Sequence, residues 1–181
     1  MLARLGEQVR RAVDLEHWAA FRQSFDRLAD LFARVGRGQL GGPAPATICV
    51  LSGDVHHSYV SEADYTPAFE SRVYQITCSP INNTVPFIMR LVFHIGWSNT
   101  VERLTRSLDR LTQVPRLPIH WHHPSGPHFG NMLALLILDG RTARVVLERA
   151  VRTEASAERE AGTDLAITED LSLTDARRVT T

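Results

Sequence analysis

The chain has 181 residues, 44% of them hydrophobic, and a formal net charge of zero. That is one domain of ordinary size, or a large piece of a bigger one, with enough apolar side chain for a core, and a balanced charge excludes a broad electrostatic surface for nucleic acid or an anionic membrane. All 20 basic residues are arginine, scattered along the sequence, and no run approaches the ~18–20 apolar residues of a membrane-spanning helix.

Residues 2–35 carry a helical period. Leu2, Leu5, Val9 and Val13 recur at three and four, then Trp18, Phe21, Phe25, Leu28, Phe32 and Val35 continue the spacing with charged residues opposite. This is a surface helix laying one bulky stripe on a sheet. Gly36 and Gly38 stop it, and a Gly/Pro-rich connector leads to residues 47–51. That run, Thr47-Ile48-Cys49-Val50-Leu51, is short, apolar and rich in β-branched side chains, and it reads as a buried strand. Residues 59–63 form a short return strand, and residues 72–78 a second main strand. Residues 85–111 look helical in two pieces. Residues 119–131 form a dense loop with four histidines, His120, His122, His123 and His128. Residues 132–139 and 141–150 make an antiparallel hairpin about Asp139-Gly140. Domain organisation is therefore 1–152 as one α/β unit and 153–181 as an acidic, loosely ordered tail with a short element near 165–167 or 171–173. Cys49 and Cys78 lie in strand-like runs and read as buried thiols. The amino terminus runs straight into charged helical sequence with no signal-peptide core, so a cytoplasmic chain is expected.

Strand 47–51 ends in Ser52-Gly53-Asp54-Val55-His56-His57, which sets a carboxylate and two imidazoles at the carboxyl edge of the sheet, where α/β proteins carry chemistry. Asp54 and His56, two apart, fall on one side of an extended backbone and can ligate a divalent metal. They can equally be a turn aspartate capping backbone amides and a histidine hydrogen-bonded to the sheet. His57 points the other way and reads as packed or solvated. Asn82, Asn83 and Asn131 flank strands and can donate to a ligand oxygen or close turns. The loop histidines lack a zinc-type partner pair. His128 is open to a general-acid or phosphate role as well as to a surface role.

The run from Leu51 to Tyr59 resembles the last metal-binding motif of the alkaline phosphatase D-like metallophosphatases, a branch of the calcineurin-like metallophosphoesterases. Leu15-Glu16-His17-Trp18, Tyr74-Gln75-Ile76-Thr77-Cys78-Ser79-Pro80 and Phe129-Gly130-Asn131 followed by Asp139-Gly140-Arg141 match in the same order. The resemblance implies the C-terminal part of a four-layer β-sandwich flanked by helices, with mixed and antiparallel sheet. It implies a two-metal centre (zinc, manganese, iron or calcium) with Asp54 and His56 as ligands, His57 and Asn83 as catalytic neighbours, and a metal-activated hydroxide that hydrolyses a phosphate-ester small molecule. The family's earlier Asp-x-His, Gly-Asp-x-x-Asp and Asn motifs do not precede Asp54. The chain is thus expected to be inactive alone and to associate with a missing N-terminal half or with itself. The alternative is a non-catalytic remnant or partner-binding α/β domain. Neither nucleic acid nor membrane is expected as a partner.

Overall fold

A computed structural model describes residues 21–53, 55–79, 119–154 and 162–174. The expectations for 1–20 and 85–111 fall outside that set. Helix α1, Arg22–Gly36, keeps Arg34 in its last turn, where a cation offsets the negative end of the helix dipole. It stops where Gly38 takes a φ of 66°, with the Gly38 amide on the Val35 carbonyl at 3.0 Å. Gly36 is the last helical residue, and the Phe69 ring lies where a Cβ on it would be, a close approach only glycine permits.

Among the described residues seven strands follow: β1 Thr47–Ser52, β2 Ser58–Tyr65, β3 Arg72–Thr77, β4 Ile119–His128, β5 Met132–Asp139, β6 Thr142–Thr153 and β7 Gly162–Ser172. The first four form a mixed sheet in the order β1-β3-β2-β4, with β1 and β3 parallel and the other pairs antiparallel. The last three form an antiparallel meander, β5-β6-β7. The fold is α/β with mixed and antiparallel sheets, as expected. The described residues make three layers: α1, the mixed sheet and the meander.

Strand alternation sorts two cores. Val60, Tyr74 and Ile76 face Met132, Ala143, Val145, Leu147 and Leu173 between the sheets. On the other face, Ala63, Val73 and Ile119 meet Ala29, with Phe25, Phe32, Ile48, Tyr65 and Phe69 packed around them. The stripe read from the sequence is therefore the one the helix buries.

Three expectations change. The histidine loop is strand β4, with Pro124, a cis Gly126-Pro127 bond and two register shifts against β2. An edge strand tolerates proline and bulges because one side of its ladder is not needed. The tail contributes β7, paired with β6 from Arg144↔Ser172 to Thr153↔Gly162, and Leu173 enters the inter-sheet core. Lastly, among the described residues β1 lies at the edge of its sheet. Its one strand neighbour among the described residues is β3, and Leu51 is 66% exposed.

Candidate functional site

The carboxyl ends of the parallel pair β1 and β3 gather a polar cluster. Ser52 Oγ and Thr77 Oγ1 lie 2.7 Å apart. The Gln75 amide donates to Ser52 Oγ at 3.1 Å and to the Tyr59 hydroxyl at 3.3 Å. Register explains the meeting: Ser52 is opposite Thr77 on the parallel side, and Tyr59 is opposite Thr77 on the antiparallel side. Fully buried Ser58 clamps the same end, its hydroxyl accepting from the Ser79 amide and donating to the Ser79 carbonyl, both at 3.1 Å.

The turn between β1 and β2 carries the predicted site. Asp54 and Asn83 lie outside the described residues, as does Asn82. His56 is exposed and His57 is buried, at 6% exposure. The His57 ring stacks on Tyr59 (centroids 5.3 Å, planes 24° apart) and tilts against Phe129 at 6.0 Å. Burial first, and the neighbouring His56 second, push its pKa down to about 4. It is a neutral, packed imidazole at pH 7 and a poor general acid there. The unfolded chain binds the proton at about 6.5. The stability contributed by neutral His57 is thus fully present above that pH and is lost as pH falls towards about 4. His57→Phe keeps the ring and removes the proton site. Between pH 7 and 4.5 it is expected to lose about 2–3 kcal/mol less stability than the parent. Urea unfolding at the two pH values checks this, and equal losses in both proteins would show that the imidazole is not desolvated.

The histidines of β4 do not converge. His120 and His122 are exposed and sit opposite Asp64 and Glu62 of β2. His123 Nδ1 meets Ser61 Oγ at 2.7 Å. His128 Nε2 meets Ser125 Oγ at 2.7 Å and stands 3.8 Å from Glu169 of β7. Burial lowers the pKa of His128, with Glu169 opposing and Arg149 assisting. The Ser125, His128 and Glu169 set looks like a nucleophile, base and acid, but the hydroxyl and the carboxylate address the same ring nitrogen. A base that is oriented by one partner and activates another needs both nitrogens. The set joins the two sheets and is not a catalytic relay. Sequence reading missed it because Glu169 lay in the presumed tail. Asn131 closes a backbone contact, its carbonyl accepting from the Ala150 amide at 2.9 Å.

β1 has a second feature. The Arg72 and Cys78 amides donate to the Ala46 and Ser52 carbonyls, both at 3.1 Å. In a parallel ladder, the N–H and C=O of one residue point to the same side. The even-numbered residues of β1 therefore face β3, and the backbone groups of Thr47, Cys49 and Leu51 point away from it.

No family model matches the chain, and no solved structure matches it. Among curated proteins the chain is similar to kynureninase from two strains of Cryptococcus neoformans var. neoformans serotype D. Each is 28% identical over 101 residues, covering 47% of this chain and 22% of the relative. The chain thus spans about a fifth of the length of the curated relatives it matches.

These findings correct the expectation of an alkaline phosphatase D-like metallophosphatase and, with it, the phosphoesterase activity: the curated likeness is to kynureninase. The divalent-metal expectation falls too, since no group of three or more His, Cys, Asp or Glu among the described residues could hold a metal ion. The physical reason lies in the motif. A strand end followed by a glycine turn is common to α/β folds. Here Ser52 serves Thr77 and Gln75, and His57 serves an aromatic stack. No helix among the described residues is long and apolar enough to cross a membrane.

Proposed function

We propose that this chain is a polypeptide-binding α/β module that receives an extended, apolar segment of another chain along β1. One observation carries the reading. Thr47-Ile48-Cys49-Val50-Leu51-Ser52 is an uncharged, largely apolar strand whose Thr47, Cys49 and Leu51 backbone groups point away from its only described neighbour. Native edges are normally blunted by charge, proline or a bulge, and within β1 there is none of these. Strand addition supplies backbone hydrogen bonds to such an edge, and its apolar side chains supply the contact area. For the chain alone in solution, the available segment is β1 of a second copy, which a net charge of zero does not repel. A cytoplasmic setting belongs to the same proposal and is supported by the two free thiols, Cys49 and Cys78.

The kynureninase likeness favours pyridoxal phosphate over metals. Enzymes that use this cofactor hold it as a lysine Schiff base, and these 181 residues include no lysine. These residues do not fit the anchoring part of such a site.

Leu51→Pro tests the module. It deletes an outward N–H while leaving the β1–β3 ladder intact, a placement proline accepts on an edge. In sedimentation velocity across a dilution series, the parent is expected to associate and Leu51→Pro to associate at least about tenfold more weakly, since each lost strand-pairing contact costs on the order of 1 kcal/mol. The far-ultraviolet circular dichroism should be unchanged. A parent that stays monomeric, or a variant that associates equally, would overturn the reading.

A further inference from the structure

The backbone of β1 restricts how a second copy can add to it, an inference that rests on the strand-addition reading above. Two identical strands related by a two-fold axis run antiparallel, and each uses the same surface of the other. In an antiparallel ladder, two opposite residues exchange both of their N–H···O bonds, and the next such pair lies two residues on. The outward-pointing groups of β1 belong to Thr47, Cys49 and Leu51. Odd-numbered residues of one copy must therefore stand opposite odd-numbered residues of the other.

One register uses all of these groups. With Cys49 opposite Cys49, Thr47 of each copy meets Leu51 of the other, and the pairing stays within the strand. A shift that sets Thr47 opposite Cys49 brings Pro45, which has no N–H, opposite Leu51. The reverse shift sets Cys49 opposite Leu51 and carries Thr47 to Gly53, past the strand end at Ser52. The side chains agree with the central register. Cys49 packs against the core between the sheets, and alternation puts Thr47 and Leu51 on that same face. Leu51, 66% exposed in one copy, is then covered by the facing Thr47. On the helix side Ile48, part of the helix-facing core, stands opposite Val50. The strand carries no charge, so no like-charged pair is set face to face.

We infer that two copies of the chain join through β1 in a two-fold antiparallel register centred on Cys49, so that their two four-stranded sheets run on as one of eight with the β1 strands in the middle.

The two cysteines supply the test. Opposite residues of a hydrogen-bonded pair have Cα atoms about 5.5 Å apart, within the span of a disulfide. Cys78 follows β3 level with Gly53. In this register the two Cys78 residues are three strand spacings and about eight residues apart, roughly 30 Å. Diamide oxidises two thiols to one disulfide and takes up their two hydrogens, becoming the hydrazine. Treated with it, Cys78→Ser is expected to give a covalent dimer on non-reducing electrophoresis, and Cys49→Ser is expected to give none. A second measurement needs no substitution. In a mixture of isotope-labelled and unlabelled parent, filtered nuclear Overhauser spectra should connect the Ile48 and Val50 Hα atoms of different copies, a non-hydrogen-bonded pair with Cα atoms about 4.5 Å apart. A parent that associates but lacks either signal, or links through Cys78 as readily as through Cys49, would overturn the register and leave strand addition standing. A parent that stays monomeric across the dilution series would overturn both.

Discussion

Gly126→Ala is expected to lower the free energy of unfolding by about 3–4 kcal/mol. Gly126 lies in β4 with a φ of 106°, a conformation L side chains rarely adopt. A Cβ there would sit 2.6 Å from Tyr59 Cβ and 3.0 Å from both the Ser58 carbonyl oxygen and Tyr59 Cα. These atoms belong to the backbone and first carbon of β2, so no rotamer change relieves the contact. Strand β4 must lift from β2, and Ser58↔His128 is the pairing nearest the strain. Gly41→Ala is the control. Gly41 also has a positive φ, 89°, but nothing lies within 4 Å of its Cβ position, so it should cost only about 1 kcal/mol of backbone strain. Urea unfolding of both variants separates the two terms. Equal midpoints would show that β4 does not press on Tyr59.

Leu147→Ala should cost about 3–5 kcal/mol. Leu147 is fully buried, on the central strand of the meander, between Ala134 of β5 and Glu169 of β7 in register. It belongs to the cluster that also holds Val60, Tyr74 and Ile76 of the mixed sheet. The lost side chain leaves a void, because β6 is held on both sides and cannot collapse into it. Leu133→Ala, on β5 at 45% exposure, should change stability by no more than about 0.5 kcal/mol. Near-ultraviolet circular dichroism during chemical unfolding reads both. A small loss at Leu147 would mean that the two sheets do not share one core.

Much of the framework was legible along the chain, for reasons tied to particular residues. Phe25, Phe32 and their period placed α1 and its buried face. Asp139-Gly140 marked the hairpin, whose Thr142 hydroxyl bonds the Asp139 carbonyl at 2.8 Å and whose Gly140 has a φ of 56°. The alternation of Ala143, Val145 and Leu147 named the core side of β6 correctly. Less was legible where local chemistry and pairing disagree. Pro124, Gly126 and Pro127 argued for a loop, yet β4 is a strand because an edge position accepts them. The acidic stretch of β7 argued for a tail, yet Arg144 closes both guanidinium arms on Asp170 and Leu171 and Leu173 reach the core.

By itself the sequence determined the α/β class, the helix stripe and the hairpin, because periodicity and turn chemistry are local properties that survive without knowledge of neighbours. Tertiary structure alone decided the rest. Among the described residues it made β1 an edge, withdrew His57 into an aromatic stack, and joined Ser52, Gln75, Thr77 and Tyr59 in one hydrogen-bonded cluster. Each of these depends on register between strands distant in the chain, and register is fixed by which side chains find partners across the sheet, a choice no single segment contains.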